Sequence, residues 1–315
     1  MSESNSTRDD ESMPQPDAIA WGTGKRRATT FVPSNPYGQL PVSFCRNVIL
    51  ILLMGVCTAG MSSRVLAQAT PSDQISQVSV INALLLGQYQ GTLPLKKLLL
   101  LGDFGLGTLD HLDGELIILD GVAWQARADG TVRRCEPEMT TPFAVITPFD
   151  GEETFDCPAV TSLEHLESML DPRLPSRDAF VAVRVDATFD LISLRAVPRQ
   201  EPPYRPLAEV VKNQAQWERK KITGTLIGIR SPAWVTGIGI PGFHWHFLSQ
   251  DRLSGGHVFN CRFESASVTF DRCRTWMIQL GDSLETQGKN LNQDLSKELD
   301  QVERQRGTPS PTQSD

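Results

Sequence analysis

The chain has 315 residues, of which 40% are hydrophobic and 21% charged. This is a globular composition with room for two ordinary domains or one large one. The formal net charge of −7 argues against nucleic acid as a partner, because a phosphate-binding surface needs an excess of basic residues. The sequence also lacks a Walker loop, a dinucleotide-binding glycine motif and a Gly-x-Ser-x-Gly elbow, which excludes the commonest signatures of nucleotide-binding proteins and serine hydrolases.

The N-terminal part of the chain is predicted to lie outside the folded domain. Residues 1–44 are rich in polar residues and proline, without apolar periodicity, and are predicted to be disordered. Residues 45–69 contain a basic residue, an apolar run and an Ala-x-Ala site, the pattern of a secretory signal peptide. We therefore expect a periplasmic or secreted protein that is cleaved near Ala69. Because this segment lies unusually deep in the chain, a retained membrane anchor or a translation start further downstream stays an alternative.

The chain that follows is predicted to form mainly short strands. Residues 74–81 alternate apolar and polar side chains, as a half-buried strand does. Asp-Gly pairs that begin at Asp113, Asp120 and Asp129 separate short apolar runs, which predicts an antiparallel meander from residue 114 to residue 135. Further strands are predicted at residues 179–186, 189–197, 223–230, 235–248, 256–263, 266–270 and 275–280.

Four helices are predicted between these strands. The first covers residues 92–101, with Thr92 as the N-cap; the others cover residues 161–171, 207–221 and 294–303. Many strands and few helices indicate a β-rich α+β fold. We expect residues 70–305 to form the folded domain, in two sheet-based lobes, and residues 306–315 to form a disordered polar tail.

Four cysteines follow the predicted signal segment: Cys135, Cys157, Cys261 and Cys273. An even number in an exported chain is compatible with disulfides. The simplest local pairing joins Cys135 to Cys157 and Cys261 to Cys273, although the sequence leaves the connectivity open. Because no Cys-x-x-Cys occurs, a structural zinc knuckle or a thioredoxin-like site is not expected.

Three of the five histidines fall in one short stretch. His244 and His246 would project from the same face of a strand. His257 follows a Ser254-Gly255-Gly256 turn, and a chain that returns antiparallel would bring it beside the pair. Three imidazoles without a fourth protein ligand nearby are typical of a catalytic zinc site with an open position. The alternative is that these are ordinary pocket or surface histidines.

Several motifs, in this order along the chain, resemble those of the bacterial α-acetolactate decarboxylases. The resemblance extends from about Ile75 to about Glu303. Because independent motifs in the right order are more specific than any single one, the chain is identified from them as a member of this family. The motifs are GDFGLGTL (102–109), LDGEL (112–116), TPFAV (141–145), VPRQ (197–200), and GFHWHF (242–247) with GGHV (255–258).

The resemblance implies a Zn²⁺ enzyme that converts (S)-2-acetolactate to (R)-acetoin and CO₂, a step of acetoin and butanediol biosynthesis. It also implies a mixed β-sheet lobe plus an antiparallel β-barrel-like lobe with a few helices, usually paired as a homodimer. By similarity, the zinc ligands are His244, His246 and His257. The catalytic residues are Glu115, Arg195 and Glu303, with Glu298 as a competitor for the last position. Thr108 and Arg195 would bind the substrate.

These roles agree with the chemistry of the reaction. Loss of CO₂ leaves an electron pair, which a neighbouring ketone can store as an enediolate. A Lewis-acidic metal that polarises the ketone and hydroxyl would stabilise that charge. Arg195 is suited to holding a carboxylate through paired N–H donors, and a carboxyl group near the metal can deliver the proton that sets the handedness of the product.

Two other functions are considered. A cupin-like metalloenzyme of different specificity also uses His-x-His, but its motif needs a glutamate shortly after the pair, where Gln250 and Asp251 stand. A secreted β-domain could hold a purely structural metal ion instead. A closed structural zinc site needs a fourth strong ligand, however, and no cysteine lies at a suitable spacing.

Overall fold

The computed structural model describes residues 72–281 and 289–304. The predicted disordered extension at 1–44, the signal segment at 45–69 and the tail at 306–315 all lie outside these described residues. Within the described ranges, no helix is long and apolar enough to cross a membrane.

The first layer of the fold is a mixed sheet of seven strands. Strand β1 (Gln74–Val78) runs parallel to β15 (Thr275–Gln279) at one edge, and all other neighbours in the sheet are antiparallel. This confirms the predicted mixed-sheet lobe. In spatial order the strands are β15 (Thr275–Gln279), β1 (Gln74–Val78), β8 (Phe143–Thr147), β3 (Phe104–Thr108), β4 (Glu115–Leu119), β5 (Val122–Ala126) and β6 (Val132–Arg134). A separate two-strand ladder joins β2 (Leu93–Pro94) to β7 (Thr140–Thr141).

The predicted meander is confirmed by the hairpins β4–β5 and β5–β6. Asp120 and Gly121, which connect β4 to β5, both have a left-handed backbone, with φ of 52° and 73°. A two-residue turn with both central φ values positive matches the twist of the strands it joins, and Asp-Gly adopts it readily. In the next turn the Asp129 carboxylate accepts a hydrogen bond from the Thr131 N–H at 3.0 Å, which stabilises the turn locally.

The second layer is an antiparallel sheet of six strands that closes on itself. Its order is β11-β10-β12-β13-β14-β9, and an additional pairing of β10 with β14 closes four of the strands into a barrel. This confirms the predicted barrel-like lobe. The strands are β9 (Glu153–Val160), β10 (Phe180–Ala196), β11 (Ala215–Arg219), β12 (Ile222–Ser231), β13 (Gly242–Ser249) and β14 (Gly255–Cys273).

Two barrel strands are longer than predicted. Residues 179–197 and 256–270 were each expected to form two strands, but each stretch belongs to one continuous strand, β10 and β14. Their pairing contains register shifts between Ala187 and Phe189, between Phe189 and Leu191, and between Ser193 and Leu194. Such bulges bend a strand without ending it, and the sequence pattern is interrupted at these bends.

Two predicted helices are much shorter than expected. Only α2 (Leu95–Leu98) forms from the helix predicted at 92–101, because residues 93–94 pair with β7. The helix predicted at 207–221 is wrong beyond its first turns: α4 (Leu207–Val210) and a 3₁₀ turn (Val211–Asn213) lead directly into β11. Pairing of β11 with β10 outweighs the weak local helix propensity.

The other helices pack against the two sheets. Helix α3 (Leu163–Leu170) begins with Ser162 as its N-cap, whose hydroxyl accepts the His165 N–H at 3.1 Å. Helix α5 (Ser296–Arg304) forms close to where the terminal helix was predicted. Helix α1 (Ile81–Leu85) follows β1 and is buried along its whole length.

One hydrophobic core fills the barrel, and another lies between the barrel and the seven-stranded sheet. Trp245 and Phe247 are buried in the barrel core, on the opposite face of β13 from His244 and His246. The Trp245 ring lies over Gly228, where a Cβ atom would come within 2.1 Å of it. Trp245 therefore packs away from the histidines.

The predicted disulfide pairing is wrong. All four described cysteines are buried free thiols. Cys157 and Cys261 lie in the barrel core, Cys273 lies in the core between the layers, and Cys135 lies in a third cluster with α2. Neither predicted pair shares a core, because the barrel topology separates residues that are close in sequence.

Candidate metal centre and active site

The three histidines lie together on the face of the barrel that is turned toward the seven-stranded sheet. His244 and His246 are two residues apart on β13, and His257 pairs directly with His246 across the β13–β14 ladder. One ligand nitrogen from each histidine lies within 4.8 Å of the other two. All three side chains are buried. The antiparallel return expected after the Ser254–Gly256 turn therefore brings the third imidazole beside the first two.

The hydrogen bond of His246 determines which ring nitrogen is available. Its Nδ1 lies 2.9 Å from the Leu116 carbonyl oxygen on β4, and a carbonyl can only accept, so Nδ1 carries the proton. Nε2 of the neutral ring is then a lone-pair acceptor. Within the described part of the chain, this buried Nε2 has no hydrogen-bond partner. An oriented, buried and unsatisfied imidazole nitrogen fits a metal ion.

The surroundings keep the imidazoles neutral. Burial, followed by the positive charge of Arg195, lowers the pKa of His244 to about 3. Burial also lowers the pKa values of His246 and His257 well below their ordinary range, and the neighbouring histidines and Arg195 add to the effect. Neutral imidazole is the form that binds a metal ion, so the three rings are in the protonation state that ligation requires.

Arg195 lies next to this cluster on β10, opposite His257 in the β10–β14 ladder. Only 4% of the residue is exposed. Its Nη2 contacts His257 Nε2 at 2.8 Å and the Glu303 backbone carbonyl at 3.5 Å, while its Nη1 donates to Gln214 Oε1 at 3.3 Å. Burial lowers the pKa of Arg195, and the charges of Glu303 and Glu115 oppose that shift. The guanidinium keeps its charge, because arginine titrates far above neutral pH.

Two carboxyl groups complete the cluster. Glu115, the first residue of β4, lies 3.5 Å from His246 Nε2 and accepts a hydrogen bond from the Val197 N–H. Burial raises the pKa of Glu115 to about 8, against the lowering effect of Arg195.

Glu303, on α5, has its Oε2 3.7 Å from His244 Nε2 and 3.8 Å from His257 Nε2. Of the two terminal glutamates considered from the sequence, Glu303 is therefore the one that contacts the histidines.

Thr108 lies at the end of β3 and lines the same cavity. Its hydroxyl donates to the Gly114 carbonyl oxygen at 3.0 Å. This bond ties the end of β3 to the turn that precedes Glu115. Thr108 thus both lines the cavity and orders the segment that presents Glu115.

A cavity between the two layers is polar on one side and apolar on the other. The polar side consists of Thr108, Glu115, Arg195, Gln214, His244, His257 and Glu303. The apolar side consists of Ile81, Leu84, Leu112, Phe143, Leu207, Val211, Ile240 and Val302. Such a division suits a small ligand with a charged head and methyl groups.

Sequence reasoning missed Gln214 and the apolar side of the cavity. Gln214 was predicted to lie inside a helix, whereas it lies between a 3₁₀ turn and β11. The apolar residues come from α1, β8, α4, α5 and the turns and loops next to other elements, which are far apart in the chain. No local sequence signal distinguishes these residues from ordinary core positions.

Comparisons with known proteins show which family the chain is similar to. The family model for alpha-acetolactate decarboxylase matches residues 75–293. The alpha-acetolactate decarboxylase of Methanosarcina mazei is 42% identical over 233 residues, which are 74% of this chain and 81% of that protein. The enzyme of Brevibacillus brevis is 37% identical and covers 77% and 85% of the two chains. The crystal structure of the Bacillus subtilis strain 168 enzyme superposes with a TM-score of 0.71 at 36% identity, covering 74% of this chain and all of that one. The chain therefore belongs to the α-acetolactate decarboxylase family.

Proposed function

We propose that this decarboxylase is zinc-dependent and converts (S)-2-acetolactate to (R)-acetoin and CO₂. The observation that carries the proposal is the unpartnered Nε2 of His246, which lies within one cluster with two further neutral imidazoles, Glu115 and Arg195. Three imidazole ligands and an open position are the donor set of a catalytic zinc site.

His244, His246 and His257 would hold the metal. Bound there, Zn²⁺ supplies Lewis-acid polarisation of the ketone and hydroxyl oxygens of the substrate. The Leu116 carbonyl holds the His246 ring in the required tautomer through Nδ1, an arrangement that recurs behind metal-binding histidines. Because the ligand nitrogens point into a buried space between the two layers, bulk water is kept away from the reacting atoms.

Arg195 would bind the substrate carboxylate. Its guanidinium is buried and positively charged, and it faces a cavity large enough only for small molecules. Paired N–H donors match the geometry of a carboxylate. This contact would orient the bond that breaks, so that CO₂ leaves while the electron pair moves toward the ketone.

Glu115 would deliver the proton. Decarboxylation of an anionic acid consumes one proton, which must reach the carbon that has lost CO₂. Glu115 lies beside His246 and is oriented by the Val197 N–H, so it approaches the cavity from a defined side. Delivery from one side sets the handedness of the acetoin. Glu303 lies near His244 and His257 and would orient the substrate hydroxyl from the opposite element.

We also propose that the protein is exported and forms a homodimer. Export is supported by the signal pattern of residues 45–69. Dimer formation is supported by the family resemblance and by exposed apolar side chains near the edge strand β15, where Trp234 is 58% and Leu280 62% exposed. N-terminal sequencing of the mature protein and light scattering would test these two proposals.

The central experiment measures acetoin formation from racemic acetolactate by the chain that starts at residue 70. The protein is assayed as purified, after chelation and after Zn²⁺ is restored. We expect activity to disappear with the metal and to return with it, consuming only one enantiomer and yielding one enantiomer of acetoin. A folded, zinc-loaded protein that forms no acetoin above the spontaneous rate would contradict the proposal and favour a metal-binding β-domain without catalysis.

A further inference from the structure

Gln214 is a polar residue of the site to which the proposed reaction assigns no role. It ends the 3₁₀ turn after α4 and precedes β11, and its own N–H donates to the Val211 carbonyl at 3.2 Å. Its backbone is extended, with φ −65° and ψ 145°. This conformation turns the chain away from α4 and brings the Gln214 side chain to the wall of the cavity.

The amide of Gln214 contacts one edge of the Arg195 guanidinium. Gln214 Oε1 accepts from Nη1 at 3.3 Å, whereas His257 and the Glu303 backbone carbonyl contact Nη2. A planar guanidinium that is held at both Nη atoms cannot rotate freely about its long side chain. The contact at Nη1 therefore restricts the orientation of the group that faces the cavity.

Three uncharged groups contact the Nη atoms of Arg195, and the charges of Glu303 and Glu115 also act on the guanidinium. An amide oxygen and a backbone carbonyl can orient a guanidinium without cancelling its charge, whereas the single lone pair of a neutral His257 is needed for the metal. A carboxylate at the position of Gln214 would orient it equally well but would neutralise it. Arg195 is almost fully buried, so a further carboxylate next to it would weaken its attraction for an anionic ligand.

We propose that Gln214 is a positioning residue, which holds the Arg195 guanidinium in the orientation that receives the substrate carboxylate while leaving its positive charge available. The inference rests on the proposed function, because it assumes an anionic substrate. It assigns to Gln214 no contact with the reacting carbon and no proton transfer.

This role predicts a particular kinetic signature. The substrate carboxylate is fully charged when it binds and loses its charge as it leaves as CO₂. Contacts with Arg195 therefore stabilise the bound substrate at least as strongly as the transition state. Weakening such a contact raises KM and leaves kcat nearly unchanged. Damage to the metal site or to the proton donor would instead lower kcat.

The experiment compares Gln214→Leu, Gln214→Glu and the matched control Gln250→Leu in zinc-loaded protein. Gln250 is exposed just after the end of β13 and does not line the cavity. Two ligands are titrated. The first is 2,3-dihydroxy-2-methylbutanoate, an anion whose reduced ketone prevents decarboxylation; the second is neutral acetoin. Steady-state kinetics with acetolactate accompany the titrations.

We expect Gln214→Leu to weaken binding of the anion and to raise KM about three- to tenfold, the effect of one hydrogen bond of ordinary strength. Binding of acetoin and kcat should stay within about twofold. Gln214→Glu should weaken binding of the anion more than Gln214→Leu does, because the new carboxylate neutralises Arg195. Gln250→Leu should behave as the wild type. Gln214→Glu is nearly isosteric, so it supplies a folded comparison even if the leucine variant unfolds.

Three results would overturn the inference. If binding of the anion and binding of acetoin are weakened equally, Gln214 has a general structural role. Unchanged binding of the anion by both variants would show that Arg195 does not depend on it. If the wild type itself neither binds the anion nor forms acetoin, the proposed function fails and the inference fails with it. If the wild type is active and neither variant changes binding of the anion, only the inference about Gln214 fails and the proposed function is unaffected.

Discussion

At the scale of single residues, the surroundings of each side chain decide its chemistry. His246 has one nitrogen committed to the Leu116 carbonyl and the other buried without a partner in the described structure. Glu115 is only 13% exposed and lies 3.5 Å from that free nitrogen. The same glutamate on an open strand would be an ordinary solvated carboxylate. Here burial favours its protonated form, which suits a proton donor.

The substitution Glu115→Gln tests that role, since it keeps the size of the side chain and removes its acidic proton. We expect zinc content and thermal stability close to those of the wild type, because the three imidazoles are intact. We expect kcat for acetoin formation to fall by about 10²- to 10⁴-fold, the usual contribution of a positioned acid or base. Metal analysis and steady-state kinetics on the same preparation measure both quantities.

A suitable control is Glu153→Gln, an exposed position on β9, which should leave both quantities unchanged. Near wild-type turnover by a zinc-loaded Glu115→Gln variant would exclude Glu115 as the proton donor. Loss of the metal from the Glu115→Gln variant would indicate instead that Glu115 stabilises the metal-binding histidines.

At the scale of elements, β14 contributes to two separate regions of the molecule. Its first residues carry His257, and its last residues enter the core beneath residues 148–151. Asp271 is fully buried there. Its Oδ2 accepts a hydrogen bond from the Asp150 N–H at 3.4 Å, and its Oδ1 has no hydrogen-bond partner among the described residues. Burial raises the pKa of Asp271 to about 7, and the carboxylates of Asp150, Glu152 and Asp73 add to the shift.

This shift predicts how stability depends on pH. The ordinary pKa of Asp271 in an unfolded chain is 3.8 and its folded value is about 7. Between these values the folded protein holds a proton that the unfolded chain releases, so the free energy of unfolding falls as pH rises from about 4 to about 7. Above that range the penalty stays constant.

The variant Asp271→Asn carries no charge and lacks this penalty. We expect the difference in Tm between the variant and the wild type to increase by several degrees from pH 5 to pH 8. A change of about 1 kcal/mol in stability shifts Tm by about 2–4 °C in a protein of this size. Calorimetry at both pH values measures the difference. The exposed Asp156→Asn on β9 should show no such trend, and a Tm difference that is independent of pH would exclude the buried charge as the cause.

At the scale of the whole molecule, the site exists only because two layers meet. The barrel supplies the three histidines and Arg195, the seven-stranded sheet supplies Glu115 and Thr108, and α5 supplies Glu303. A single hydrophobic core holds all three parts together, with residues from β3, β12 and α5 in contact.

The separation of the cores also predicts how the thiols react. Burial raises the pKa values of Cys135, Cys261 and Cys273 to about 12, so these thiols carry almost no reactive thiolate at neutral pH. In the chain that starts at residue 70 we expect slow reaction with a thiol reagent in the native state and four reactive thiols after denaturation. Reductant should leave Tm unchanged. Fewer than four thiols, or a lower Tm with reductant, would indicate a disulfide.

The sequence was enough to predict the short strands, the Asp-Gly hairpins and the histidine cluster from local signals: alternation along strands, left-handed turns and histidine spacing. The family, the mixed-sheet and barrel lobes, and the polar residues of the cavity other than Gln214 were identified through the resemblance of several motifs. The association of Glu115, Arg195 and Glu303 with the histidines came from family motifs, because nothing in their local sequence separates them from exposed residues.

Other features were decided by contacts between distant parts of the chain. Residues 215–219 form a strand because β10 offers an edge to pair with, and β10 and β14 continue through bulges because closure of the barrel requires long strands. The partners of each cysteine pair considered from the sequence lie in different cores, and Gln214 reaches Arg195 only through the turn after α4. Such contacts join residues tens to hundreds of positions apart, and no local pattern encodes them.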